Sequence, residues 1–276
     1  MKQGPIGIFD SGYGGLTILK EIVKELPQYD YLYLGDNART PYGTRSFDVV
    51  YQYTLQAVKR LFDMGCHLVI LACNTASAKA LRSIQQRDLP LIDPNRRVLG
   101  VIRPSVEEIP LLTKSKHVGI LGTQGTVLSE SYPMEIEKLN NGLKVNVTQE
   151  ACPMWVPLVE NQEIDTPGAE YFIQKNIDNL LTKAPEIDTL VLACTHYPLL
   201  RSKIEQFLPE NIQLIEQGPI VAKKLKDYLY RHPEMEINCS TLGSVKYLTT
   251  ENPSVFENKA GFFLGQQITA SQITLD

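Results

Sequence analysis

Short apolar runs, bounded by glycine, proline and small polar residues, recur along the chain and alternate with stretches whose apolar positions fall three and four apart. Residues 5–9, 31–34, 67–72, 98–102, 117–121, 144–148, 189–193 and 213–215 have the length and side chains of strands. Between them, 16–26 sets Leu16, Leu19, Ile22, Val23 and Leu26 on one helical face, and Pro27 stops it. Ser46 caps a helix running through Met64, with Gly65 as its terminator, and Thr166-Pro167 starts another that reaches about Thr182. This alternation predicts an α/β architecture with mainly parallel strands.

Two of the apolar runs end alike. Ala72-Cys73-Asn74-Thr75 and Ala193-Cys194-Thr195-His196 each pass from buried strand to small polar residues that suit a helix start. Each thiol is thus expected at a strand's carboxyl end, beside free backbone N–H groups. Upstream, 6–12 and 118–125 are both short strands followed by glycine-rich turns. The pattern predicts two similar α/β domains. Residues 1–99 plus 217–276 would carry Asp10 and Cys73, and residues 100–216 would carry Cys194 and His196. Open parallel sheets bind ligands beyond the carboxyl ends of their strands, so the expected site is a cleft between the domains.

Composition narrows the field. Of 276 residues, 43% are hydrophobic and 21% charged, with a formal charge of −4, as in ordinary globular proteins. No Lys/Arg run is interleaved with aromatics, so nucleic acid is not an expected ligand. No stretch approaches the about 18 apolar residues of a membrane span, and no apolar signal segment precedes the first strand. The expected location is therefore the cytoplasm. Five cysteines without compact disulfide spacing fit a reducing compartment.

The chemistry-bearing motifs leave several readings open. Asp10-Ser11-Gly12 through Gly15 lacks the Walker and dinucleotide spacings, and Asp10 would repel phosphate. It is either a tight turn or a turn presenting Asp10 and Ser11 to a substrate. In the loop after 31–34, Pro41 fixes the backbone, while Tyr42 and Gly43 offer N–H groups to an anion. Cys73 and Cys194 are core thiols or, beside helix N-termini, activated ones. His196 could exchange a proton with Cys194, and Asp10 could assist Cys73. Zinc lacks its Cys-x-x-Cys or His-x-x-x-His spacing, so no metal is expected; redox motifs are equally absent. Cys66, Cys152 and Cys239 read as structural, and Trp155 as packing. Glu160 is a surface charge or a cleft carboxylate that orients His196 or a substrate ammonium.

In combination, 7–15, Gly35-Asp36 through Gly43, Ala72–Ala76, Cys152 through Glu160 and Cys194 through Pro198 make the chain resemble the glutamate racemases, nearly over its full length. The resemblance implies Cys73 and Cys194 as two catalytic bases, with Asp10, Glu160 and His196 assisting proton transfer. It places Asp10, Ser11, Pro41, Tyr42, Gly43, Asn74, Thr75, Thr123, Thr195 and His196 around glutamate. It implies no cofactor, a role in supplying D-glutamate for peptidoglycan, and admits a homodimer. Arg103, Ser105 and Gln217-Gly218-Pro219 depart from the form common in the family, though none is a catalytic group. The alternatives are racemisation of aspartate or another acidic amino acid and, from a different class, a nucleotide- or anion-binding module with inert cysteines.

Overall fold

Successive residues of the apolar runs point to opposite sides of two sheets, each covered by helices. In a computed structural model that describes residues 3–139 and 144–275, the strands are β1 (Ile6–Asp10), β2 (Tyr31–Gly35), β3 (Leu68–Leu71), β4 (Arg97–Gly100), β5 (His117–Gly122), β6 (Asn146–Ala151), β7 (Thr189–Ala193), β8 (Gln213–Ile215), β9 (Val245–Thr249) and β10 (Ala270–Gln272). A six-stranded sheet runs β10-β9-β2-β1-β3-β4, and a four-stranded sheet runs β6-β5-β7-β8. All pairings are parallel.

The period of two is visible in the core. Ile6, Ile8, Tyr31, Tyr33, Leu68 and Ile70 pack on one face of the first sheet, whereas Phe9, Leu32, Leu34, Val69 and Leu71 pack on the other. Strands buried on both faces must be apolar at nearly every position, which is why these runs were so plain in the sequence. In the second sheet, Val118, Ile120, Val191 and Ala193 share one cluster. Leu121, Leu190 and Leu192 face the other way, into the same core that holds Ile6 and Ile8. One apolar cluster therefore joins a face of each sheet.

Helix α1 (Gly15–Glu25) buries Leu16, Ile18, Leu19 and Ile22. Helix α2 (Phe47–Asp63) begins at Ser46, whose hydroxyl accepts from Val49 N–H at 3.4 Å. Gly65 follows it at φ 93°, a left-handed conformation that suits glycine. Helix α3 (Asn74–Lys79) follows β3 directly.

Three points need correction or refinement. The run 98–102 is a strand only to Gly100; Ile102 opens the helix Ile102–Leu112, whose first turn accommodates Pro104 because an N–H there has no helical acceptor. Strands β9 and β10, in the stretch after residue 216 where the first domain resumes, carry no plain apolar run, because both are partly exposed and β10, of three residues, forms the sheet's edge. Finally, Cys194 leads into its helix less directly than Cys73 does, through a 3₁₀ turn that runs straight into the helix Arg201–Phe207. Tyr197 N–H bonds to Cys194 O at 3.1 Å and Leu199 N–H to His196 O at 3.2 Å, opening a 3₁₀ turn over Tyr197–Leu200. Pro198 has no N–H to return to Cys194 O, so the wider helical ring cannot close. Among the described residues, no helix is long and apolar enough to cross a membrane.

Candidate active site

The carboxyl ends of β1, β3, β5 and β7 converge on one cavity of about 320 Å³. Parallel pairing sets this up: Phe9 lies level with Leu71 in the first sheet, and Gly122 with Ala193 in the second. The residues that follow those strands therefore meet. Ser11, Pro41, Tyr42, Gly43, Cys73, Asn74, Thr75, Thr123, Glu160, Cys194, Thr195 and His196 all line the space. Asp10 stands just behind Ser11, 1% exposed. A groove of similar volume beside β4, lined by Gln85, Leu89 and Arg97 among others, contains no thiol, carboxylate or imidazole.

The two thiols have unlike surroundings. Cys73 caps α3, its sulfur accepting from Ala76 N–H at 3.4 Å, with the Ser11 hydroxyl also at 3.4 Å. Burial pushes this thiol up to about 12, and the Asp10 charge adds to the effect against those two hydrogen bonds. Asp10 takes Gly12 N–H on Oδ2 at 2.9 Å, while its buried Oδ1 has no partner among the described residues. Burial raises its carboxyl above the usual range, opposed by the charge of His196.

Across the cavity, Cys194 Sγ lies 3.9 Å from His196 Nδ1. The other ring nitrogen is 2.9 Å from Glu160 Oε1. Burial alone would lower the imidazole, but hydrogen bonds to Cys194 and Glu160 outweigh it and carry His196 to about 10. At neutral pH the ring is then an imidazolium, donating Nε2–H to Glu160 and Nδ1–H toward the sulfur. Its edge packs against the Phe263 ring, 5.4 Å between centroids. Thus one thiol sits beside a carboxyl group and the other beside a cation.

Several contacts bind the walls together. Thr75 Oγ1 meets Thr123 Oγ1 at 2.9 Å, Gly125 N–H donates to Gly43 O at 2.8 Å, and Thr17 Oγ1 donates to Thr195 O at 2.9 Å. Gly14 permits the close approach at the last of these, since a Cβ there would collide with the Thr195 hydroxyl and the His196 ring. The Tyr42 hydroxyl donates to Asp36, which also receives Arg39 Nε at 2.7 Å and Thr250 Oγ1 at 2.9 Å. The side chain of Tyr42 is thereby engaged inward. Among the described residues, none accepts from the backbone N–H groups of Tyr42, Gly43 or Thr195. Such donors suit a carboxylate.

Sequence reasoning missed other lining residues: Thr40, Thr44, Gln124, Pro153, Val156, Pro157 and Asn161. Most flank segments already singled out, so adjacency was the available signal. Cys152 also borders the cavity but is fully buried, its S–H 3.7 Å from Glu150 O.

Residues 6–225 match the family described as Asp/Glu/hydantoin racemase. The chain belongs to this family. A glutamate racemase of Ruegeria pomeroyi is 40% identical over 274 residues, covering 96% of this chain and 98% of that protein. Among solved structures, glutamate racemase isoform RacE1 from Bacillus anthracis superposes with a TM-score of 0.89 at 33% identity, covering 100% of this chain and 99% of its own. That of Francisella tularensis, solved in complex with D-glutamate, gives 0.87 at 30% identity, covering 100% and 99%. The chain is accordingly an amino-acid racemase, an isomerase.

Proposed function

We propose that the chain interconverts L- and D-glutamate by passing protons between two thiols on opposite walls of the cavity. The observation that carries this reading is the pair of unlike thiols, Cys73 and Cys194, facing one space. Inversion at Cα requires a base on one face of the substrate and an acid on the other. Cys194, beside the His196 imidazolium, takes the proton from L-glutamate, and Cys73, held as a thiol, returns one from the opposite side. The roles reverse for D-glutamate, with Asp10 assisting Cys73. No cofactor takes part.

A proton on Cα is only weakly acidic, so the carbanionic transition state needs preorganised donors. The backbone N–H groups of Tyr42, Gly43 and Thr195, with the side chains of Ser11, Asn74, Thr75 and Thr123, supply them around the substrate carboxylates. Residues 1–99 with 217–276 form one domain and 100–216 the other, and their closure excludes water from the site. The D-glutamate formed serves peptidoglycan synthesis in the cytoplasm. Similarity to a structure solved with D-glutamate supports glutamate over shorter acids.

Purified protein should incorporate solvent deuterium at Cα of either glutamate enantiomer without added cofactor, and should process aspartate far more slowly. Cys73→Ala should stop abstraction from D-glutamate and Cys194→Ala from L-glutamate. Undiminished turnover in both variants would sink the mechanism; faster turnover of aspartate would reassign the substrate.

A further inference from the structure

Ser105 and Gln217 meet in a buried polar cluster that ends on Asn74, the neighbour of Cys73. Tyr132, from the helix Ser131–Leu139, completes it. Tyr132 and Ser105 are 0% exposed, and Asn74 and Gln217 are 2% exposed. Polar groups so deeply buried are tolerated when every donor meets an acceptor.

The direction of each bond follows from valence. Gln217 Nε2 donates to Tyr132 Oη and to Ser105 Oγ, both at 2.9 Å, and lies 3.2 Å from the Val101 carbonyl. The Ser105 hydroxyl donates to that same carbonyl at 2.9 Å. Having accepted from Gln217, Tyr132 passes its own proton to Asn74 Oδ1 at 2.8 Å. Asn74 Nδ2 closes the circuit by donating to Gln217 Oε1 at 2.6 Å. Asn74, Gln217 and Tyr132 thus form a ring of hydrogen bonds running head to tail.

The ring has a fixed sense because one neighbour is a backbone carbonyl. Val101 O can only accept, so it repels Oε1 and holds the Nε2 end of Gln217 toward itself. Gln217 oriented that way requires Nδ2 of Asn74 at its other end. Tyr132 then occupies Asn74 Oδ1. What remains to Asn74, which lines the cavity, is the second Nδ2 proton. We infer that Gln217 and Tyr132 are positioning residues: they fix Asn74 as a hydrogen-bond donor, so that the wall beside Cys73 selects an anionic group of the substrate. The wiring also stitches together the stretches after Gly100 and after Ile215, where the chain leaves one sheet for the other.

Positioning in this sense presupposes that Asn74 binds substrate, as proposed above. Three variants separate it from a purely structural role. Tyr132→Phe frees Asn74 Oδ1 and lets the amide turn; KM for both enantiomers should rise about tenfold, the loss expected for a hydrogen bond to a charged group, while kcat changes much less. Gln217→Met opens the same ring and should give the same split, so either variant suffices if the other does not fold. Ser105→Ala leaves the ring closed, since Val101 O, released from Ser105, takes the second Gln217 proton; melting should drop while KM stays put. Hydrogen exchange of the Asn74 carboxamide, followed by NMR, gives a readout independent of turnover: slow in the parent and in Ser105→Ala, fast once the ring is open. Unchanged KM in the folded ring variants, or equal KM increases in Ser105→Ala, would overturn the assignment. If the parent does not racemise glutamate, the proposed function fails, and slow or fast carboxamide exchange decides the positioning role alone.

Discussion

His196 is held between a thiol and a carboxylate, and that placement decides its charge. Glu160 Oε1 lies 2.9 Å from Nε2, and this contact helps to raise the imidazole to about 10 against the burial that would lower it. Replacing Glu160 by glutamine removes the charge but keeps an acceptor. The His196 pKa should then fall by at least about one unit, the usual effect of losing an adjacent opposite charge. An NMR titration of the ring checks this; a pKa that stays put would mean that Cys194 alone sets it. The sequence could present Glu160 and His196 as candidates because both lie in motifs with chemical character. It could not show Asn74 bonded to Gln217, a pair 143 positions apart. Carboxamides carry no periodic signal, and only the fold brings these two together.

Elements were legible to the extent that burial constrained them. Strands β1, β2, β3, β5 and β7, enclosed on both faces, declared themselves as apolar runs. Lys246 and Ser271, exposed on β9 and on the edge strand β10, interrupt that signal. The polar residues after Cys194 do open a helix, but Pro198 forces its first turn into the tighter 3₁₀ form, which the polar pattern alone does not show. Turns can also be fastened by one side chain. Asp188, just before β7, accepts from Thr113 Oγ1 at 2.6 Å, from Lys114 and Ser115 N–H at 2.7 Å, and from Thr189 Oγ1 at 2.9 Å. Burial opposes its ionisation, but these bonds win and hold the carboxyl below its ordinary value. Asp188→Asn exchanges acceptors for an amide that clashes with donors, and should cost about 2 kcal/mol of folding stability. Urea denaturation of the two proteins is the check; equal midpoints would show the turn to be held by packing alone.

For the molecule as a whole, these shifts set the pH range of stability. His196 is raised from 6.5 to about 10, so its contribution is complete below 6.5 and disappears as pH climbs through 10. Cys73, raised from 9.0 to about 12, extends the alkaline loss beyond that. Asp30 behaves oppositely: burial would raise it, but hydrogen bonds from Ser240 and Ser244 bring it from 3.8 to about 2. Its contribution is present above 3.8 and is lost as pH falls through 2, and Asp188 acts in the same direction. Melting temperature plotted against pH should therefore form a dome with an acid and an alkaline limb. Glu160→Gln should flatten the alkaline limb between 6.5 and 10. A limb unchanged between 6.5 and 9.0 would leave the His196 charge to Cys194 alone.

The unlike settings of Cys73 and Cys194 meet a symmetry that lies outside the protein. Mirror-image amino acids have equal free energies in water, so the equilibrium constant between them is one. The ratio kcat/KM must then be identical in the two directions, however lopsided the walls. An imidazolium on one side and a buried carboxyl on the other can favour one bound enantiomer, but whatever is gained in KM for that isomer is returned in its kcat. Full progress curves from pure L- and pure D-glutamate should give different kcat and different KM values whose quotients coincide. The asymmetry of the cavity thus governs which enantiomer occupies the enzyme at saturation, and has no influence over which one accumulates in solution.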